Sequence, residues 1–160
     1  MIEIRSARDS DADGLIRLIG AVFDEYPGCV LDVDGELPEL RRIAGWSQEH
    51  AGEFFCAERA GTIVGCVGFA LAHDAGGIEL KKLYVDASER KSGLGGQLLA
   101  KIEKRAGELD AKFIDLWSDT RFVTAHAFYE KRGFVRGPVT RPLHDKSHTI
   151  EYYFRKELTR

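Results

Sequence analysis

The segment 89–99, ERKSGLGGQLL, places two basic residues and a serine directly before three glycines, and a helical pattern of apolar residues starts at once. The N-terminus of a helix leaves backbone N–H groups unpaired and carries a partial positive charge, so it attracts anions. Glycines before such a helix permit positive φ angles and let a phosphate approach the backbone closely. The local chemistry therefore fits a phosphate cradle and fits a solvated loop equally well.

Two familiar phosphate-binding motifs do not match this segment. The dinucleotide fingerprint G-x-G-x-x-G directly follows a strand, whereas DASERKS intervenes here and Leu98 occupies the third glycine position. The P-loop requires a lysine directly after its second glycine, and no lysine follows Gly95 or Gly96. The pattern that remains is R-x-x-G-x-G over residues 90–95.

The periodicity of apolar residues predicts a single mixed α/β domain over residues 1–160, a length that suits one well-buried core. The predicted order is β-α-α-β-β-β-α-β-α-β-β. Strands are predicted at 2–6, 53–60, 62–74, 76–86, 111–118, 134–139 and 148–158. Helices are predicted from Ser10 or Asp11 to about 26, at 38–50, from the glycines to Leu109, and at 120–132.

The strand before the glycines carries a break in its alternation. Ile78 and Leu80 share one face, but the next apolar pair, Leu83 and Val85, has the opposite parity. Because strand side chains repeat every two residues, this slip predicts a β-bulge near residues 81–82. A bulge leaves backbone groups unpaired beside it.

Charge and hydropathy exclude several classes of protein. The formal net charge of −3 argues against a general nucleic-acid or membrane-surface binder. No apolar run approaches the roughly 20 residues of a membrane span, and the first residues, MIEIRSARDS, have neither the basic start nor the apolar stretch of a signal peptide. We therefore expect a cytoplasmic protein.

Neither the cysteines nor the histidines predict a metal site or a disulfide. Cys56 and Cys66 lie in apolar, strand-like runs and are expected to be buried free thiols, whereas Cys29 follows Pro-Gly in a loop and could be exposed. The odd count and the lack of a C-x-x-C motif disfavour a disulfide framework. His144 and His148 have a spacing typical of helical metal sites, but the surrounding sequence does not predict a helix.

Three features carry a resemblance to a known family: the R-x-x-G-x-G pattern, the strand that precedes it, and FYEKRGF at 128–134. In these features the sequence resembles the GNAT acyltransferases, which transfer acyl groups from coenzyme A. The resemblance extends over nearly the whole chain, and the order of elements agrees. It implies the GNAT fold, acetyl-CoA as acyl donor, and direct attack of a primary amine on the thioester in a ternary complex. It also implies a homodimer.

The resemblance implies two sets of cofactor-binding residues. Backbone amides of the glycine segment hold the pyrophosphate of coenzyme A in that family. Matching positions here are Arg90, Lys91, Ser92, Gly93, Leu94, Gly95 and Gly96. Free backbone groups of the bulged strand, which splays from its neighbour, pair with the pantetheine arm, which implicates Leu83, Tyr84 and Val85.

Acylation of an amine requires a base for the ammonium proton and a donor for the departing thiolate. Tyr129 matches the tyrosine of the family's second motif and is the expected acid; a core aromatic is the alternative. An unperturbed tyrosine keeps its proton at neutral pH. Glu79 precedes the bulge where the family often carries a glutamate that relays a proton through water. The alternative is a solvated Glu79, or one paired with Lys81.

One position departs from the family pattern. Many members have an asparagine seven residues before the tyrosine, contacting the cofactor arm, and this chain has Phe122 there. Either Ser118, Thr120 or Arg121 supplies an equivalent contact, or the contact is absent.

The acceptor is expected to bind between the irregular segment after the first helix and the loop between the last strands. The segment 24–39 holds six acidic residues and no lysine or arginine. Such an acidic rim, including Asp32 and Asp34, would attract a small amine, a polyamine or a lysine side chain; a solvated loop is the alternative. His144 or His148 is a further candidate for lining the acceptor pocket, with His144 the preferred one. Two rival functions are an acyl-CoA-binding sensor without catalysis and an interaction module that binds no nucleotide.

Overall fold

Seven strands form one mixed sheet in the order β1-β2-β3-β4-β5-β7-β6 in the computed structural model, which describes residues 1–158. Within these residues, β4 and β5 are parallel and the other neighbouring strands are antiparallel. This arrangement confirms the mixed α/β prediction. The strands are β1 (Ile2–Ser6), β2 (Glu53–Arg59), β3 (Thr62–Leu71), β4 (Gly77–Val85), β5 (Phe113–Asp119), β6 (Val135–Pro142) and β7 (Ile150–Glu157).

Helices cover both faces of the sheet: α1 (Ala12–Phe23), α2 (Val33–Glu36), α3 (Ile43–Glu49), α4 (Leu94–Glu108) and α5 (Val123–Lys131). Leu15, Leu18 and Ile19 of α1 pack with α3 on one face, and Leu98, Leu99 and Ile102 of α4 form the larger core on the other. No described helix has the length and apolar character needed to cross a bilayer.

The prediction of one helix over 38–50 is wrong in its first part. Pro38–Arg42 form a 3₁₀ turn, and the extended φ of −149° at Arg42 separates this turn from α3. The Asp9 carboxylate accepts from the backbone N–H groups of Ala44 and Gly45, so α3 receives its N-terminal cap from outside the segment. This long-range cap favours a helix that begins at Ile43. A further departure is the short helix α2, which lies in the segment expected to be irregular. The others are shifted ends: β6 runs three residues further than predicted, because its pairing with β7 continues to Pro142.

The predicted bulge is present in β4. Cys66 of β3 faces Tyr84, but Gly68 faces Lys81, so β4 carries one extra residue. Lys82 takes a positive φ of 54° at this point. On its other edge β4 pairs with β5 only from Gly77 to Glu79, the last pair being Glu79 with Asp115. Beyond this pair the two parallel strands are no longer paired, and the gap between their carboxyl ends is here called the cleft.

Candidate active site

The glycine segment ends in a left-handed cap. Gly93, the residue before α4, has φ 88°, and a Cβ atom built there would meet no atom within 4 Å. Lys91 also has a positive φ of 66°. The Ser92 hydroxyl donates to the carbonyl of Glu89, whose carboxylate pairs with Arg59 at 2.6 Å. These contacts fix the loop that precedes α4, whose first N–H groups have no partner within the helix.

Arg90, the first residue of the motif, is engaged within the protein. Its Nη2 donates to the carbonyl of Val85 at 3.1 Å and to Glu25 at 2.7 Å. The guanidinium therefore joins the end of β4 to the residue just beyond α1. It shapes the loop, and its predicted contact with a cofactor phosphate stays a prediction.

Gly95 and Gly96 allow α5 to approach the start of α4. A Cβ on Gly95 would lie 3.3 Å from the ring of Phe128, and one on Gly96 would lie 3.1 Å from Nη2 of Arg132. The Arg132 guanidinium stacks on the Phe128 ring, 3.8 Å from its centroid. Arg132 thus adds a positive charge beside the helix N-terminus. The sequence interpretation missed this residue, although its spacing of four from Phe128 on a helix was a usable signal.

These features fit the pyrophosphate of coenzyme A. The left-handed Gly93 leaves its side-chain position open, and the N-terminus of α4 offers unpaired amides beside Lys91 and Arg132. This loop follows β4, one of the two strands that border the cleft. Val85 at the end of β4 lies beside the glycine segment, because a Cβ on Gly95 would be 3.9 Å from its Cγ2. The predicted contacts of Leu83, Tyr84 and Val85 with the cofactor arm stay predictions.

Tyr129 lies on α5 and is 6% exposed. Its ring packs edge-on against Phe134 and lies 5.9 Å from Phe154, centroid to centroid. Burial raises the pKa of Tyr129 above its ordinary value, so the phenol keeps its proton at neutral pH. Burial raises the pKa of Tyr84 as well, and the nearby Tyr129 phenol adds to the shift. Tyr129 belongs to the core cluster against which Leu83 and Val85 of β4 pack, and this packing also suits the core role left open above.

Glu79 lies at the point where β4 and β5 part. Its carboxylate is paired with Lys81 at 3.1 Å, the alternative considered from the sequence, and its side chain is 17% exposed. The parallel register places Asp115 of β5 directly beside it. The sequence analysis did not identify Asp115, because only the pairing of β4 with β5 brings it to Glu79.

Phe122 makes aromatic contacts in place of the polar contact common in the family. Its ring lies 4.7 Å from that of Tyr26 and 6.4 Å from that of Phe23. Of the proposed substitutes, Ser118 is bonded to His126 at 3.2 Å, and Arg121 donates to the Ser147 carbonyl. Both are engaged within the protein.

The acidic segment after α1 is held by basic partners. Asp32 pairs with Lys146 at 2.7 Å, Asp34 with Arg41 at 2.7 Å, and Glu39 with Lys82 at 2.8 Å. Glu25 pairs with Arg90, and Glu36 accepts from the backbone N–H of Lys146. These contacts tie the segment to the β6–β7 loop and compensate much of its charge. The role of this segment in attracting a cationic acceptor stays a prediction, and Asp32 and Asp34 already form ion pairs within the protein.

The remaining candidates lie at the surface or in the core. His144 is exposed in the β6–β7 loop. Cys56 and Cys66 are buried free thiols as predicted, and Cys29 is partly exposed. Burial raises the pKa of the Cys29 thiol, although Arg121 donates to its Sγ at 2.8 Å. Within residues 1–158, no group of three or more His, Cys, Asp and Glu side chains is arranged to hold a metal.

Two features define an acyltransferase of the GNAT fold: two parallel strands that cease to pair part-way along, and a helix N-terminus, capped by glycine, in the loop that follows the first of them. Residues 19–134 match the acetyltransferase (GNAT) family, and the chain belongs to this family. A GNAT acetyltransferase from Staphylococcus aureus superposes with a TM-score of 0.85 at 25% identity, covering 99% of this chain and all of that one.

Curated relatives are also acetyltransferases. The chain is 30% identical to the IAA acetyltransferase of Azospirillum brasilense, covering 86% of this chain and 89% of that protein. It is 34% identical to the amino-acid acetyltransferase of Azotobacter vinelandii over 87% of its own length, but it spans only 29% of that relative. The PaiA N-acetyltransferase of Thermoplasma acidophilum, solved with coenzyme A, shares the fold with a TM-score of 0.75 at 20% identity, over 99% of both chains.

Proposed function

We propose that this acyltransferase moves the acetyl group of acetyl-CoA to a primary amine, by direct attack within a ternary complex. One observation carries the proposal: β4 is no longer paired with β5 beyond Glu79, and the loop that follows β4 ends in the left-handed Gly93 before α4. This arrangement offers backbone amides to a pyrophosphate and a free strand edge to an extended arm.

Each part of the chain then has a chemical task. Acetyl-CoA supplies an acyl group activated as a thioester. The N-terminus of α4, with Lys91 and Arg132, neutralises phosphate charge. Tyr129 holds a proton at its phenol oxygen for the departing sulfur, and Glu79 accepts the proton of the ammonium through a water molecule.

For the acyl acceptor we propose several classes of amine, whereas for the acyl donor we propose acetyl-CoA. The names of the relatives place amino acids among the amines to be tested. A small amine, a polyamine and a lysine side chain complete the set, and a cytoplasmic homodimer is the proposed state of the protein.

Thermal shift with acetyl-CoA, free CoA, NAD and ATP tests the cofactor first. At 100 times its dissociation constant a ligand stabilises by about 2.7 kcal/mol, which corresponds to about 5–10 °C for a chain of this length. We expect this shift with the CoA species and its loss in Gly93→Glu. Gly107→Glu is the matched control, because it makes the same charge change on α4 at an open position about 20 Å along the helix.

An amine panel with detection of released CoA thiol tests the transfer. Tyr129→Phe should lower kcat by about 100-fold or more while acetyl-CoA still stabilises the variant. If the wild type melts cooperatively and no CoA species raises its melting temperature, the proposal is refuted. Normal cofactor binding without thiol release on any amine would favour the sensor instead.

A further inference from the structure

Asp115 of β5 is the most deeply buried carboxyl group at the cleft. It is 5% exposed. The Tyr153 hydroxyl donates to Oδ2 at 2.7 Å, whereas Oδ1 is buried with no hydrogen-bond partner. No ion pair within 4.0 Å involves Asp115 in the described part of the chain. Because an ionised carboxylate buried without a cation is costly, this environment favours the neutral acid.

Glu79 lies directly beside Asp115. The two residues are partners in the parallel register, so their Cα atoms are about 4.8 Å apart and their side chains point to the same face. The Glu79 carboxylate contacts Lys81, and its side chain is partly exposed. A rotation of this side chain toward β5 would bring a carboxylate oxygen to the unpartnered Oδ1 of Asp115.

We propose that Asp115 and Glu79 form a pair that shares one proton, in which Asp115 donates its O–H to the ionised Glu79. Asp115 is then a positioning residue that acts through Glu79, and the assignment rests on the proposed function of Glu79 as base. When the acceptor ammonium is deprotonated, one N–H bond breaks and one O–H bond forms at Glu79. The pair then holds two protons and returns one to solvent after acetyl transfer.

The charged neighbours of Asp115 agree with this assignment. Burial and the nearby Glu79 raise the pKa of Asp115, while the Tyr153 hydroxyl opposes the shift. The neighbouring charges on other elements are Arg155 of β7 and Asp74 of the β3–β4 turn. The Arg155 guanidinium is directed elsewhere, to Glu157 at 2.7 Å and over the Phe113 ring at 3.6 Å. It therefore does not form an ion pair with Asp115.

Carboxyl ¹³C NMR titration of the full chain tests the shared proton without an acceptor. An ordinary aspartate titrates near pH 3.9. We expect Asp115 to titrate above this value, because burial and the nearby Glu79 raise its pKa, and we expect Glu79→Gln to lower the midpoint because the neighbouring charge is removed. Glu103→Gln, which removes a partly buried carboxylate on α4 that pairs with Lys156, is the control and should leave the midpoint in place. Titration of Asp115 at or below pH 3.9 would overturn the proposal.

Two variants test the coupling to the reaction. Asp115→Asn keeps an N–H donor for Glu79, so the acidic limb of the pH profile of kcat/KM should be retained. Asp115→Leu removes the donor, and the limb should move up by about one pH unit, the equivalent of a hydrogen bond to a charged group. A limb that moves to lower pH in Asp115→Asn would mean that Asp115 acts as a charge, contrary to the proposal. Acetyl-CoA should stabilise both variants as it does the wild type. If acetyl-CoA did not stabilise the wild type, the proposed function would be contradicted. The NMR titration would still show whether Asp115 and Glu79 share a proton.

Discussion

Replacing Gly93 by alanine should destabilise the protein through the backbone alone. Gly93 has φ 88° and ψ 1°, and a Cβ there would meet no atom within 4 Å. An L-residue in this conformation costs about 1–2 kcal/mol, and there is no steric clash to add to this cost. For a chain of this length the melting temperature should fall by about 2–8 °C.

Gly107→Ala is the matched comparison in the same helix. Its Cβ would also meet no atom within 4 Å, but its φ lies outside the left-handed region. Alanine should therefore stabilise α4 by up to about 0.5–1 kcal/mol through helix propensity. The same substitution at two open positions is thus expected to have opposite signs.

Urea denaturation and calorimetry of Gly93→Ala, Gly93→Asn and Gly107→Ala measure this difference. Asparagine tolerates the left-handed conformation better than alanine, so stability at position 93 should follow the order Gly, Asn, Ala. If Gly93→Ala were as stable as the wild type, the left-handed cap would not exist as described. The shape of the phosphate cradle would then need another explanation.

Two further measurements follow from buried groups. Arg5 lowers the pKa of the Asp11 carboxyl below its ordinary 3.8, so the stabilisation is present above that pH and is lost as the pH falls through the lower folded-state pKa. The free energy of unfolding should therefore fall more steeply on acidification below pH 4 in the wild type than in Asp11→Asn; equal slopes would contradict this. An aromatic disulfide reagent should modify Cys29 alone in the native protein, because Cys56 and Cys66 are fully buried. Three thiols reacting at one rate without denaturant would be the contrary result.

Local features of the sequence predicted much of the fold. The parity slip between Leu80 and Leu83 located the bulge because strand side chains alternate with a period of two. Gly93 indicated the N-terminus of α4, because a positive φ costs least for a residue without a Cβ. The helix predicted at 38–50 was wrong at its start, because α3 is capped at Ala44 and Gly45 by the distant Asp9 carboxylate.

Contacts between distant segments were decided by the tertiary structure. Asp115 meets Glu79 only because the parallel pairing of β4 and β5 ends at that residue. Arg132 lies beside the glycine segment because α5 packs next to the start of α4. The acidic residues after α1 form ion pairs with distant basic residues, as Asp32 does with Lys146. The sequence alone determined where the backbone can turn and which faces are apolar, since periodicity and local sterics act over a few residues. Which charged groups meet at the cleft depends on strand order and register, which no local pattern encodes.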